Sequence, residues 1–100
     1  MTPKDVVNDC FVWDADKAQQ NLERHGISFE ECLSAFLDPQ RLITVDSLHS
    51  VEEPRLFCIG KIGNRVVTVR FTLREGYTRI IGAGYWRKGR KLYEKAQSHR

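Results

Sequence analysis

The hydrophobic period of this chain changes once, and that change bounds the folds open to it. Up to Asp38-Pro39 the apolar residues recur with helical spacing: Phe29, Cys32, Leu33, Phe36 and Leu37 share one face. The Asp-Pro pair stops a helix, because proline disfavours the helical conformation of the residue before it. Beyond it the apolar residues run in short β-branched stretches. Helices followed by a run of strands imply an α+β domain, with helices covering one face of an antiparallel sheet.

Local signals place the elements. Phe11-Val12-Trp13 suits either an edge strand or the staple before a helix, and Asp14 stands as N-cap of the segment ADKAQQNLERHG, closed by Gly26. Ser28 and Glu31 form a capping box for a second helix, with Ile27 and Cys32 as its hydrophobic staple. Strands are predicted over Leu42–Val45, Leu56–Ile62, Arg65–Leu73 and Thr78–Ala83, with Gly63-Asn64 as a tight hairpin link and Asp46–Pro54 as a polar loop. From Arg90 onward the chain lacks Gly and Pro and holds good helix formers, which predicts a terminal helix. The expected fold is α+β: two N-terminal helices packed on a four-stranded antiparallel sheet, with a C-terminal helix. Residues 1–100 are read as one domain, with the polar residues 1–10 flexible.

Composition removes whole classes. With 41% hydrophobic and 29% charged residues, the chain is neither disordered nor collagen-like. No apolar run approaches the roughly 18 residues of a membrane span, and no signal-peptide core is evident at the N-terminus, so no membrane and a cytoplasmic location are expected. Cys10, Cys32 and Cys58 are odd in number, far apart and free of CxxC spacing, which argues against a disulfide framework, a metal site or a metal cofactor. Cys32 and Cys58 read as small core residues.

Charge is divided along the chain. Residues 1–53 hold four Lys/Arg against eleven Asp/Glu, a net −7, whereas residues 54–100 hold twelve against two, a net +10. A basic half attracts phosphate-rich or acidic partners; the alternative is that the two halves neutralise each other across the fold. In the third strand Val67, Val69, Phe71 and Leu73 suit the helix-covered face, while Val66, Thr68, Arg70 and Thr72, continuing to Arg74, form a mostly polar face. An arginine in mid-sheet is costly to bury, so Arg70 is expected to face an open surface or a partner. Arg70 and Arg79 read otherwise as solubilising, edge-protecting charges.

The segment GAGYWRKGR combines aromatics with bases. Tyr85 and Trp86 offer faces for base stacking, and Arg87, Lys88 and Arg90 offer phosphate contacts, the composition of a single-strand nucleic-acid surface. The alternative is that the two aromatics anchor the last helix. His49 is the histidine of the polar loop, suited to general-base work with Glu52 or Glu53 orienting it or sharing the role, or simply structural. Arg70, Arg74 and the Arg87–Lys91 cluster, including Lys91, are expected to collect on one side, away from the acidic helices.

Three stretches carry a resemblance to a known family. The opening FVWDADKAQQNLERHGISFEE, the loop DSLHSVEEPRLFCIG and the strand pair RVVTVRFTLREGYTRIIGAG together resemble the BrnT toxins of type II toxin–antitoxin systems, whose fold is similar to that of the RelE-type ribonucleases. The match runs through Trp13, Asp14, Lys17, Asn21, His25, Gly26, Ser28 and Phe29, and then through Asp46, His49, Ser50, Glu53, Arg55 and Gly60. The first stretch is specific; the strands alone would not be. One departure stands out: many members follow the Arg-Ile-Ile strand with Ser-Ala-Arg, where this chain has Gly82-Ala83-Gly84.

The resemblance implies a metal-independent endoribonuclease that needs no cofactor. Its RNA substrate would be mRNA, ribosome-associated or free, and a BrnA-type antitoxin would neutralise it in a dimeric or antitoxin-bound assembly. In that reading His49 or Glu53 handles protons, and Arg70, Arg79, Arg87 and Lys88 stabilise charge. Arg74, Tyr85, Trp86, Arg90 and Lys91 then hold RNA. A second reading, a binding module that lost catalysis when the strand-end arginine became Gly84, stays open beside it. A DNA-binding repressor is disfavoured because the helix from Phe29 to Leu37 is acidic rather than basic.

Overall fold

Helix α1 (Ala15–His25) is held at both ends by the residues expected to do so. The Asp14 carboxylate accepts from the backbone N–H groups of Asp16 and Lys17, and Gly26, at φ 71°, donates its N–H to the Leu22 carbonyl. Ser28 and Glu31 close a reciprocal capping box on α2 (Phe29–Cys32). The single helix expected through Leu37 is instead one turn of α-helix that tightens into a 3-10 helix over Leu33–Leu37. There the strand carrying Gly60 presses on it, since a Cβ at Gly60 would stand 2.5 Å from the Ala35 carbonyl oxygen.

The computed structural model describes residues 2–99. Among these, six strands form one mixed sheet: β1 (Asp5–Asn8), β2 (Phe11–Asp14), β3 (Leu42–Val45), β4 (Leu56–Ile62), β5 (Arg65–Arg74) and β6 (Tyr77–Gly84), in the order β1-β2-β6-β5-β4-β3. The fold is α+β, but the expected four-stranded antiparallel sheet is corrected at one end. The antiparallel β3–β4–β5–β6 meander lies where it was expected. Beyond it β2 joins β6 in parallel, through Phe11 opposite Thr78 and Val12 opposite Arg79, and β1 pairs antiparallel with β2. Phe11–Trp13 is therefore an interior strand rather than an edge or a staple. Asp5–Asn8 form β1 within the segment expected to be flexible (Met1 lies outside the described residues). A parallel pair joined across most of the chain leaves no local signature, because its partner is not a sequence neighbour.

The sheet is covered on both faces, which is the second correction. On one face Trp13, Ile27, Phe29, Cys32, Ala35, Cys58, Val67, Val69, Phe71, Ile80 and Ala83 form the main core beneath α1 and α2. On the other, Ile59, Val66 and Tyr93 form a smaller cluster beneath α3 (Arg87–Ser98), flanked by Leu42 and Phe57. Helix α3 begins three residues before the expected Arg90 and includes Gly89, which has no room for a Cβ against Thr68 Oγ1. The even face of β5 is thus covered by α3 over Val66 and Thr68 and by the loop after β3 over Thr72, whose Oγ1 donates to the Pro54 carbonyl, and Arg70 between them stays part-exposed.

Burial of Cys32 and Cys58 keeps both thiols protonated, with Cys58 pushed up to about 12; Cys10 is exposed, and all three are free. Among the described residues no helix is long and apolar enough to cross a membrane.

Candidate active site

The loop after β3 is tied shut by its own side chains. Asp46 donates its N–H to the Arg55 carbonyl at 2.8 Å, Ser50 Oγ donates to the Asp46 carbonyl at 2.7 Å, and Arg55 N–H donates to Ser50 Oγ at 2.9 Å. This neck buries the Asp46 side chain to 5% exposure. Its Oδ2 then meets two partners at once: His49 Nδ1 at 2.7 Å and Arg70 Nε at 3.3 Å. Arg70 Nε is buried and makes no hydrogen bond, so the second contact is an ion pair without hydrogen-bond alignment.

The geometry orients the imidazole. An Nδ1–H donated to a buried carboxylate fixes the tautomer in which Nε2 carries the lone pair. The His49 side chain is 54% exposed, so that nitrogen can reach solvent or substrate. Arg70 comes from the middle of β5, opposite Phe57 on β4, at a register irregularity between Arg70 and Phe71. Its guanidinium lies 5.6 Å from the centroid of the Phe57 ring.

Beside Arg70 opens a cavity of about 280 Å³ between the sheet and the first turns of α3. Phe57, Ile59 and Thr68 form its floor, with Trp86, Lys88 and Leu92 on its helical side. Helix α3 has no acid in its first turn and no side-chain cap, so its open N–H groups add to the charge of Arg87 and Lys88.

The structure sorts the residues selected from sequence into separate places. It links His49 to Arg70 through Asp46, and sets Arg70 with Trp86 and Lys88 around the cavity. Glu53 lies apart, ion-paired with Arg74, whose Nε stands 3.2 Å away, and with Arg55 at 3.7 Å. The Arg74 guanidinium holds the Glu53 carboxyl below its usual range. Glu53 is thus engaged by arginines rather than by His49, and Glu52 is exposed. Arg79 sits toward β1, bonded to Asp5 at 2.9 Å. Arg87 and Lys91 are exposed on α3, and Tyr85 and Arg90 line a different groove. The partner of His49 is Asp46, which the family resemblance included but to which no catalytic role was given. The signal available was the Asp-x-x-His spacing in a polar loop; Phe57 carried no such signal. Among the described residues no group of three or more His, Cys, Asp or Glu is placed to hold a metal ion.

Residues 13–89 match the family model described as ribonuclease toxin, BrnT, of type II toxin–antitoxin system. The chain belongs to the BrnT family. A search of curated proteins finds no match. The matched region runs from Trp13 on β2 to Gly89 in the first turn of α3, and so contains Asp46, His49, Arg70, Trp86 and Lys88. A type II system implies, in general terms, an antitoxin partner and an RNA substrate for BrnT proteins.

Within this BrnT chain the departure at Gly84 has a steric counterpart. A Cβ at that position would stand 2.7 Å from two atoms of the Trp86 ring, so the indole lies directly over the glycine. His25, at the end of α1, braces the same indole edge-on at 5.3 Å. An arginine at position 84 and this placement of Trp86 exclude each other.

Proposed function

We propose that this chain is an endoribonuclease that cleaves mRNA without a metal ion, and that Asp46, His49 and Arg70 form its reactive centre. The observation that carries the reading is the buried Asp46 carboxylate shared by His49 Nδ1 and Arg70. Metal-free cleavage of RNA needs a base for the 2′-OH, cations for the charge that develops on phosphorus, and an acid for the leaving oxygen. His49 Nε2 takes the 2′-OH proton as O2′ bonds to phosphorus, and Asp46 stabilises the imidazolium that results. Arg70 and Lys88 face the phosphorane oxygens. As the P–O5′ bond breaks, the imidazolium returns its proton to O5′, leaving a 2′,3′-cyclic phosphate and a 5′-hydroxyl. Trp86 and Phe57 supply the flat faces beside which a base adjoining the scissile phosphate rests.

Glu53 and Arg79 are left out of this centre, since their ion pairs are made with Arg55, Arg74 and Asp5 rather than with its members. The fold is read as RelE-like, the location as cytoplasmic, and the neutralising partner as a BrnA-type antitoxin, in a dimeric or antitoxin-bound assembly. Ribosome association remains part of the same reading. The test is cleavage of labelled RNA in EDTA with mapping of the product ends. Cyclic-phosphate ends that vanish in His49→Ala support it; intact RNA with the unaltered protein, freed of antitoxin, would overturn it. A binding module without catalysis is favoured by one observation, the Trp86 indole lying where the family's strand-end arginine would project. RNA retention without cleavage in the same assay would select that reading.

A further inference from the structure

Helix α3 has a second flank. Between it and the β4–β5 hairpin lies a groove of about 670 Å³, larger than the cavity beside Arg70 and on the other side of the helix. Lys61, Arg65 and Arg90 line it, with Asn64 from the hairpin turn and Gln97 from α3. Among the described residues Glu94 is its one carboxylate.

The basic residues of the sheet are not compensated alike. Arg55, Arg70, Arg74 and Arg79 each meet a carboxylate of the chain. Among the described residues, Lys61, Arg65 and Arg90 make no salt bridge. Arg65 is nevertheless ordered: its guanidinium stacks 3.4 Å from the centroid of the Tyr85 ring. That contact occupies a face of Tyr85 that was expected to stack a base, and turns the residue into a support for a cation. Among the described residues Gln97 Nε2, buried beside the groove, has no acceptor. Three cations that make no salt bridge, against a single carboxylate, suit a run of anionic oxygens. Tyr85 and Trp86, adjacent in sequence, face the two flanks, so one strand passing the start of α3 touches both.

We propose that this groove is a second RNA subsite, holding the sugar-phosphate backbone that flanks the cleaved bond. The proposal rests on RNA being the substrate, and extends it to a footprint that wraps the N-terminal end of α3. Its phosphate contacts are independent of base identity, so the groove sets the length of RNA engaged rather than the sequence chosen.

The test uses the full chain carrying His49→Ala, to prevent cleavage, with fluorescent single-stranded RNA of about four and about twelve nucleotides. Lys61→Gln with Arg65→Gln should weaken binding of the longer RNA by roughly tenfold and lower the salt slope by about 1.4, while the shorter RNA changes less than about twofold. An unchanged melting temperature shows that the variant is folded. Equal losses for both lengths, or none for either, would overturn the proposal. Intact RNA binding with loss of an acidic antitoxin segment would also overturn it and assign the groove to that partner. If the unaltered chain proves unable to cut RNA yet shows the length dependence, the cleavage reading fails and the groove stands.

Discussion

His49 Nδ1 lies 2.7 Å from a carboxylate oxygen of Asp46, and that carboxylate is 5% exposed while the imidazole is half open to solvent. The pair therefore points outward from a fixed base. It stands at the Arg70 end of the sheet face, the end that α3 leaves uncovered.

Removing the imidazole should lower the rate of RNA cleavage by roughly 10²–10⁴-fold, the usual worth of a general base. Asp46→Asn should also slow cleavage, because an amide cannot stabilise the imidazolium. It additionally leaves the part-buried Arg70 without its counter-charge, so it should lower stability where His49→Ala does not. Single-turnover rates and melting curves measured on both variants separate the two effects.

Gly84→Ala places a Cβ 2.7 Å from the Trp86 ring and must push the indole aside. Such overpacking costs about 1–3 kcal/mol. Trp86→Ala should leave the strand undisturbed but weaken RNA binding by about 1–3 kcal/mol, the worth of one stacked base. Fluorescence titration with short RNA distinguishes a displaced indole from an absent one; equal affinity in all three proteins would remove Trp86 from the site.

Asn21 joins α1 to β6. Its amide donates to the Ile27 and Ala83 carbonyls and its oxygen accepts from the Ala83 N–H, all with the side chain 8% exposed. Asn21→Ala strands three buried backbone groups and should destabilise the fold by about 2–4 kcal/mol. Urea unfolding gives the number directly, and a loss below about 0.5 kcal/mol would contradict the staple.

Asp5 and Arg79 tie β1 to β6, and the hydrogen bond from Arg79 lowers the Asp5 carboxyl from 3.8 to about 2. A carboxyl depressed in the folded state stabilises above its unfolded value and loses that contribution as pH falls through the folded one. The pair should therefore act fully above about pH 4 and fade toward pH 2. Melting temperature followed over that range should fall less steeply in Arg79→Met, and identical profiles would show that the pair does not stabilise β1.

What was legible from the residues is what depends on near neighbours. The caps at Asp14, Gly26 and Ser28 and the β3–β6 meander all arise within a few residues of their own sequence. The site was half legible: His49 and Arg70 stood out as a loop imidazole and a mid-strand charge. Asp46 did not, because an acid at a strand end looks like any turn residue until the Ser50 and Arg55 hydrogen bonds bury it. Tyr85 and Trp86 were one motif in sequence and are two environments in space, since successive residues leaving a strand turn to opposite sides.

By itself, then, the sequence determined the class of fold, the ends of α1, the capping box and the strands of the meander, through period and local hydrogen bonding. Tertiary structure alone decided that β2 lies parallel beside β6, that α3 crosses to the face opposite α1, and that Asp46 rather than Glu53 holds His49. Each of those outcomes depends on contacts between distant segments. Their free energy comes from the burial of Trp13, Ile59 and Tyr93 between elements rather than from any preference written along one stretch of chain.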